Sequence, residues 1–315
     1  LIMSLYSLHK IKKINYDYII IDEVEKFMDA LSSINKLGDV ANQSINYDKI
    51  IDIFYNHDIK LILMDAYPSE RTIEIMRAVN RNIKIERNEY KPHKDNIYNI
   101  YLDTDQIAEL MAEDIKNGLN IIFPSDKRKM LKDIWNKTNN ILKLTGHELN
   151  EEQYKVYDCK VMNDEIQKDF ENVNETWSKY RFLGYSPKII AGVSFTAEHF
   201  DKCYSYISGH AGIHLCKQQL YRARNIKSKT YEILLDTRNH NKIDKKELIK
   251  SYQSMDKMYN NQDKYYESCT LKPKYNRDKY GMKYFSDEIE NTILIKNILH
   301  INDSKCNAAN YLLQE

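Results

Sequence analysis

The chain has 315 residues, 42% of them hydrophobic and 30% charged, with a net charge of +1. That length holds about one to three domains with real cores, and the even charge balance excludes a globally basic protein, so any nucleic-acid site must be a local patch. No apolar run reaches the roughly 18 residues of a membrane-spanning helix, and five scattered cysteines without a CxxC pair point to reduced thiols inside a cell rather than to structural zinc.

The first residues, Leu1 to Lys13, lack the basic start and small-residue cleavage site of a signal peptide. Leu1 stands where a reading frame would open on Met, and strand-like sequence follows almost at once, so the chain is expected to be part of something longer. Tyr16-Asp17-Tyr18 leads into Ile19-Ile20-Ile21, a β-branched run that predicts a buried parallel strand. It ends in Asp22-Glu23-Val24-Glu25. Acids at the carboxyl end of such a strand lie where open α/β sheets place ligands. Chemistry has a use for the adjacent pair: one carboxylate can hold Mg²⁺, the next can orient or deprotonate a water attacking a γ-phosphate. The same residues also read as a strand-end pair that caps the following helix, Glu25 to Leu31.

Leu37 to Phe54 has partly amphipathic helical spacing. A second strand, Lys60 to Met64, ends in Asp65-Ala66, and a helix follows with Ser69 as its cap and Glu70 in its first turn. The polar stretch from Lys84 to Asn96, with Pro92, marks a boundary. Beyond it, Asp103 or Thr104 opens a helix with Ile107, Leu110, Met111 and Ile115 on one side, closed by Gly118. Strand Leu119 to Phe123, a basic helix Asp126 to Lys137 and a strand Ile141 to Leu144 follow. Trp177, before a strand at Tyr180 to Leu183, reads as core packing rather than as a base-stacking residue.

The stretch Tyr185 to Arg224 carries the most information. An apolar strand ends in the small-residue turn Ala191-Gly192-Val193-Ser194, where Gly192 lets a backbone approach closely and Ser194 offers a hydroxyl. A further strand leads to a helix with Gln218, Arg222 and Arg224, whose +4 and +6 spacing places them near one helical face. From Lys217 to Tyr231 there are five cations and no acid. Arginine's planar fork suits phosphate oxygens, although a solvated basic helix fits the spacing too. Tyr231 to Leu235 supplies a last strand. The remainder is polar, with helical spacing near Lys245 to Tyr259 and Ser286 to Leu299.

Taken in order, these segments resemble a superfamily-2 DNA helicase of the herpesvirus-type replication origin-binding group, also found in large DNA viruses. Ser7-Leu8-His9 with YDYIIIDEVE is similar to the segment that ends in that family's DExx box. LILMDA at 61–66 resembles its third motif, YSPKIIAGVSF with HFD at 199–201 its fifth, and QQLYRAR at 218–224 its sixth, with Tyr221 where glycine is usual. The resemblance implies an α/β fold of tandem RecA-like domains with parallel sheets: a partial first domain at 1–95, a second at 96–237 and a helical accessory region at 238–315. It implies ATP and Mg²⁺ as cofactors. Asp22 would be the Mg²⁺ residue and Glu23 the base, Gln218 would contact nucleotide, and Arg222 and Arg224 would reach the γ-phosphate. Ser125, Gly192, Val193 and Ser194 would lie near the nucleic-acid backbone or the interdomain cleft. The implied partners are DNA (a single strand or a replication origin), an N-terminal helicase segment and other replication proteins. The implied setting is the nucleus or a viral replication site in an infected cell, away from membranes.

No GxxxxGK[ST] phosphate loop occurs in the sequence. Without its backbone N–H groups and lysine, tight Mg-ATP binding by this chain alone is not expected. Two other readings stay open: a non-catalytic nucleic-acid-binding or scaffold protein without the loop, and a helicase acting on RNA.

Overall fold

Alternating apolar strands and one-sided helices sort into two units, and the computed structural model describes residues 2–31, 42–90, 93–157, 164–186, 193–208, 212–236, 242–251, 275–277, 283–285 and 288–308. One unit takes residues 1–88 and 242–302, the other 89–241 and 303–315.

In the first unit, β1 (Tyr18–Ile21) pairs in parallel with β2 (Lys60–Leu63), Ile19 opposite Leu61 and Ile21 opposite Leu63. Helices α1 (Val24–Leu31), α2 (Gln43–Tyr55) and α3 (Glu70–Ala78) share one core with the C-terminal helix Glu288–Cys306. Met28, Leu31, Phe54, Ile75 and Ile293 are fully buried there. The β-branched run was expected to be buried on both faces. Instead Ile20 is 60% exposed and Tyr18 56%, because successive side chains of a strand face opposite ways and the core packs against Ile19 and Ile21. Two cations fasten the frame, Arg81 from a loop and Lys49 from α2. Arg81 donates to the carbonyls of Ile53, Phe54, Asn56 and Ile59 around the end of α2. Lys49 does the same for Leu8, His9 and Ile11 at the end of the 3₁₀ helix Leu5–Lys10.

The second unit is a six-stranded, wholly parallel sheet. Its strands are β3 (Ile97–Tyr101), β4 (Ile121–Pro124), β5 (Tyr154–Tyr157), β6 (Phe182–Tyr185), β7 (Lys202–Ile207) and β8 (Thr230–Leu235), in spatial order β3-β8-β7-β4-β6-β5. Strand alternation sorts side chains to two cores. Ile121, Phe123, Tyr204, Tyr206 and Leu234 meet α4 (Thr104–Lys116) and α5 (Arg128–Leu144). Ile122, Cys203, Ile207, Ile233 and Leu235 meet α7 (Val173–Trp177) and α8 (Ile213–Leu220), with α6 (Asp164–Glu171) at the margin. Covering both faces is what a parallel sheet requires. Asp103 caps α4 through Asp105 N, and Gly118 follows that helix at φ 90°.

Several expectations are corrected. Ile141 to Leu144 is not a strand but the last turn of α5, because Leu142 continues the buried stripe of Leu131, Ile134 and Trp135 at helical spacing. Edge strands β3 and β5 were not anticipated; their mixed Tyr, Asn and Lys content masks the alternation. A short antiparallel pair, β9 (Tyr275–Arg277) with β10 (Lys283–Phe285), lies in the region read as helical. Residues 187–192, most of the strand expected before Val193, lie outside the described residues.

Trp177 is wholly buried among Tyr157, Tyr185 and Phe195. Trp177→Ala is expected to cost about 3–5 kcal/mol, seen as a lower urea midpoint with an unchanged slope.

Candidate functional site

The acid pair lies at the carboxyl end of β1, as a parallel strand would present it. Asp22 is exposed, and its Oδ1 accepts the Glu23 N–H at 2.9 Å. Glu23 has φ 50°, a left-handed conformation uncommon outside glycine. Its carboxylate meets Lys26 Nζ at 3.1 Å, with both side chains roughly two-fifths exposed. The turn is tied to the end of β2: Val24 N–H donates to Met64 O at 3.0 Å, and Glu25 N–H to Asp65 Oδ2 at 2.9 Å. Asp65 Oδ1 in turn accepts from Tyr67 N–H.

Glu25 is buried and fully engaged. Its oxygens accept from Ser69 N–H (2.8 Å), Ser69 Oγ (2.6 Å), Thr72 Oγ1 (2.6 Å) and Arg71 Nη2 (2.5 Å). Glu25 thus grips the start of α3 through Ser69, Arg71 and Thr72 rather than capping its own helix. Ser69 holds the N-cap position but gives its hydroxyl to Glu25. Burial alone would raise the Glu25 carboxyl. The Arg71 guanidinium and the hydrogen bonds from Ser69 and Thr72 outweigh it and bring the group from an ordinary 4.5 down to about 2. Sequence reasoning passed over this residue; its signal was the third acid of DEVE combined with Ser69-x-Arg71-Thr72.

In the second unit, Gln218 lies half-buried on α8, and its Oε1 is buried without a hydrogen-bond partner. The helix ends at Leu220, so Gln218, Arg222 and Arg224 do not share one helical face as expected. The reason is a competing pairing. Phe195 N–H donates to Arg222 O (2.8 Å) and Arg224 N–H to Phe195 O (2.9 Å), a parallel bridge between Phe195 and Ala223 that pulls the chain out of the helix. Arg222 Nη1 donates to Val193 O at 3.1 Å, and Arg224 is exposed. The fifth and sixth segments are thus brought together by backbone bonds. Ser194 is half-buried beside them. Gly192 lies outside the described residues.

Tyr221 has its own packing. It stacks on His93, with centroids 3.6 Å apart, and its hydroxyl meets that of Tyr98 at 2.7 Å. Ser125 follows β4 and is wholly buried, its hydroxyl accepting from Lys127 N–H and donating to Lys127 O. Beside it, the Asp126 carboxylate accepts from Ser208 N–H and Oγ, both at 2.8 Å. Sequence reasoning missed that contact.

No known protein-family profile matches the chain. It is homologous to proteins of large DNA viruses. A mimivirus protein provisionally named a replication origin-binding protein is 28% identical over 206 residues, 65% of this chain and 24% of the relative. An African swine fever virus protein provisionally named a helicase/primase complex protein is 25% identical over 181 residues, 56% of this chain and 16% of the relative. The chain therefore spans a quarter or less of these relatives' length. Among solved structures, the Mycobacterium smegmatis helicase Lhr, bound to ssDNA and AMP-PNP, aligns over 77% of this chain and 31% of its own, with a TM-score of 0.45 and 12% identity. Among the described residues, no helix is long and apolar enough to cross a membrane.

Because the folded pKa of Glu25 lies below its ordinary value, its stabilisation is present above pH 4.5 and is lost as pH falls toward 2. In urea titrations across that window, wild type should lose up to about 1.4 kcal/mol per pH unit from this group. Glu25→Gln should flatten that component and cost about 3–5 kcal/mol at neutral pH, since it strands Arg71 in the core.

Proposed function

We propose that this chain is part of the motor of a viral DNA helicase that couples ATP hydrolysis to duplex unwinding in genome replication, in an infected cell. The observation that carries the reading is the Asp22-Glu23 pair at the end of a parallel strand, held in a left-handed turn, in a chain homologous to replication proteins of large DNA viruses. Strained backbone at a candidate reaction centre is the usual place for such a cost.

In this reading Glu23 accepts the proton of the water that attacks the γ-phosphate, and it must first leave Lys26. Gln218 contacts nucleotide, and Arg222 and Arg224 meet the charge on the transferring phosphoryl group. Ser194 lies near the nucleic-acid backbone in this reading, as does Gly192 of the same motif; Val193 and Ser125 are buried and take part only by supporting the loops there. The residues fit Mg²⁺ only as an ion shared with substrate: among the described residues no group of three or more acids, histidines or cysteines could hold a metal. Mg²⁺ commonly takes one or two carboxylates and otherwise phosphates and water. When bound, it would neutralise phosphate charge beside Asp22. The tandem RecA-like arrangement with divisions at 1–95, 96–237 and 238–315, and partners among other replication proteins, belong to the same proposal. A binding protein without catalysis is the second reading, favoured by the lack of a GxxxxGK[ST] loop in the sequence.

This chain alone should hydrolyse ATP at no more than background. Joined to a segment supplying a phosphate loop, it should become a DNA-stimulated ATPase. In that protein Glu23→Gln should lower turnover by about 10²–10⁴, and Arg222→Ala with Arg224→Ala by about 10³ or more while ATP still binds. Full turnover in either variant would overturn the assignment of those residues, and no turnover by the loop-completed protein would favour the second reading. Binding to single-stranded DNA should weaken steeply with salt, measured as the slope of log affinity against log salt.

A further inference from the structure

The strained turn is held from a part of the chain more than two hundred residues away. Arg71 is 3% exposed. Its Nη2 donates to the Glu25 carboxylate at 2.5 Å and to Glu25 O at 2.9 Å, its Nη1 to Asp29 Oδ1 at 2.5 Å and to Asn297 Oδ1 at 2.9 Å. Asn297, on the C-terminal helix, is fully buried, and its Nδ2 donates to Met28 O at 2.8 Å. One amide thus accepts from the arginine that grips Glu25 and donates to the helix that leaves the acid pair. Only a side chain with both a donor and an acceptor can do this. Apolar contacts of Ile293 and Ile298 already anchor the helix, so a fully buried amide is not needed to dock it. A left-handed, non-glycine turn persists only where its surroundings over-determine it. Here those surroundings run from Glu23 through Glu25 and Arg71 to Asn297.

We infer that Asn297 is a positioning residue for the acid pair, and that the helix Glu288–Cys306 sets the Asp22-Glu23 turn through Arg71 and Glu25. A load on that helix reaches the reaction centre without any contact with nucleotide. The catalytic half of this inference rests on the function proposed above; the mechanical half does not.

Two readouts separate them. In the 315-residue chain, amide hydrogen exchange at Val24 and Glu25 should be about tenfold faster in Asn297→Leu than in wild type. It should be unchanged in Lys296→Gln, which breaks only the neighbouring ion pair to Glu74. In the loop-completed ATPase, Asn297→Leu should lower kcat by about 10- to 100-fold, as a small misplacement of a reacting group does, with KM for ATP within about twofold. Asn297→Asp keeps the acceptor for Arg71 but loses the donor to Met28 O, so it should recover only part of the loss. Should Asn297→Leu fail to fold, Asn297→Ala and Arg71→Lys carry the same comparison. Wild-type exchange at Val24 and Glu25 in Asn297→Leu, or in both of its substitutes, overturns the inference. Faster exchange with unchanged kcat overturns its catalytic half, provided Glu23→Gln is inactive. If Glu23→Gln remains active, the proposed function fails and exchange alone decides the mechanical linkage.

Discussion

The ion pair between Glu25 and Arg71 is the constraint around which the first unit is arranged. Two opposite charges are taken out of water, and their attraction balances that cost only because nearly every remaining valence is met. Glu25 collects both donors of Ser69 and the hydroxyl of Thr72, while Arg71 reaches Asp29 and Asn297. Removing any member leaves a charge or a dipole stranded. The geometry of β1, β2, α1 and α3 is therefore fixed at the point where the chain turns through Glu23.

The second unit is organised differently. Its sheet is held by apolar side chains sent alternately to two cores, and polar groups gather where strands end. Ser125 and Asp126 follow β4, Ser208 follows β7 and Asp236 follows β8. Asp236 accepts from Tyr206 Oη at 2.7 Å and lies 3.5 Å from Lys127 Nζ. Carboxyl ends of parallel strands converge without side chains to cover them, so the loops there are free to carry chemistry. The same logic applies to the shorter β1–β2 pair.

Much of this was legible in the sequence. The β-branched run of β1, the DEVE acids, the cap at Asp103 and the buried character of Trp177 all follow from local patterns, because each depends on near neighbours. What was not legible depends on distant partners. Nothing local to Arg71 says that its guanidinium is buried, and nothing near Asn297 says that it meets Met28 O; those contacts join residues 46 to 269 positions apart. The end of α8 before Arg222 was missed for a like reason, since the bridge to Phe195 overrides a helical propensity that the spacing of Gln218 and Arg222 suggests. The strand read in Ile141 to Leu144 shows the reverse error: four residues are too few to distinguish a period of two from the tail of a longer helix.

The bridge between Phe195 and Ala223 has a mechanical consequence. Two backbone hydrogen bonds and the Arg222 contact to Val193 O tie residues 193–195 to residues 222–224. A pull on the guanidinium of Arg222 is delivered to the Val193 peptide across one hydrogen bond, with no loop between them to absorb it. Displacing either segment therefore requires breaking these bonds or moving the other segment with it.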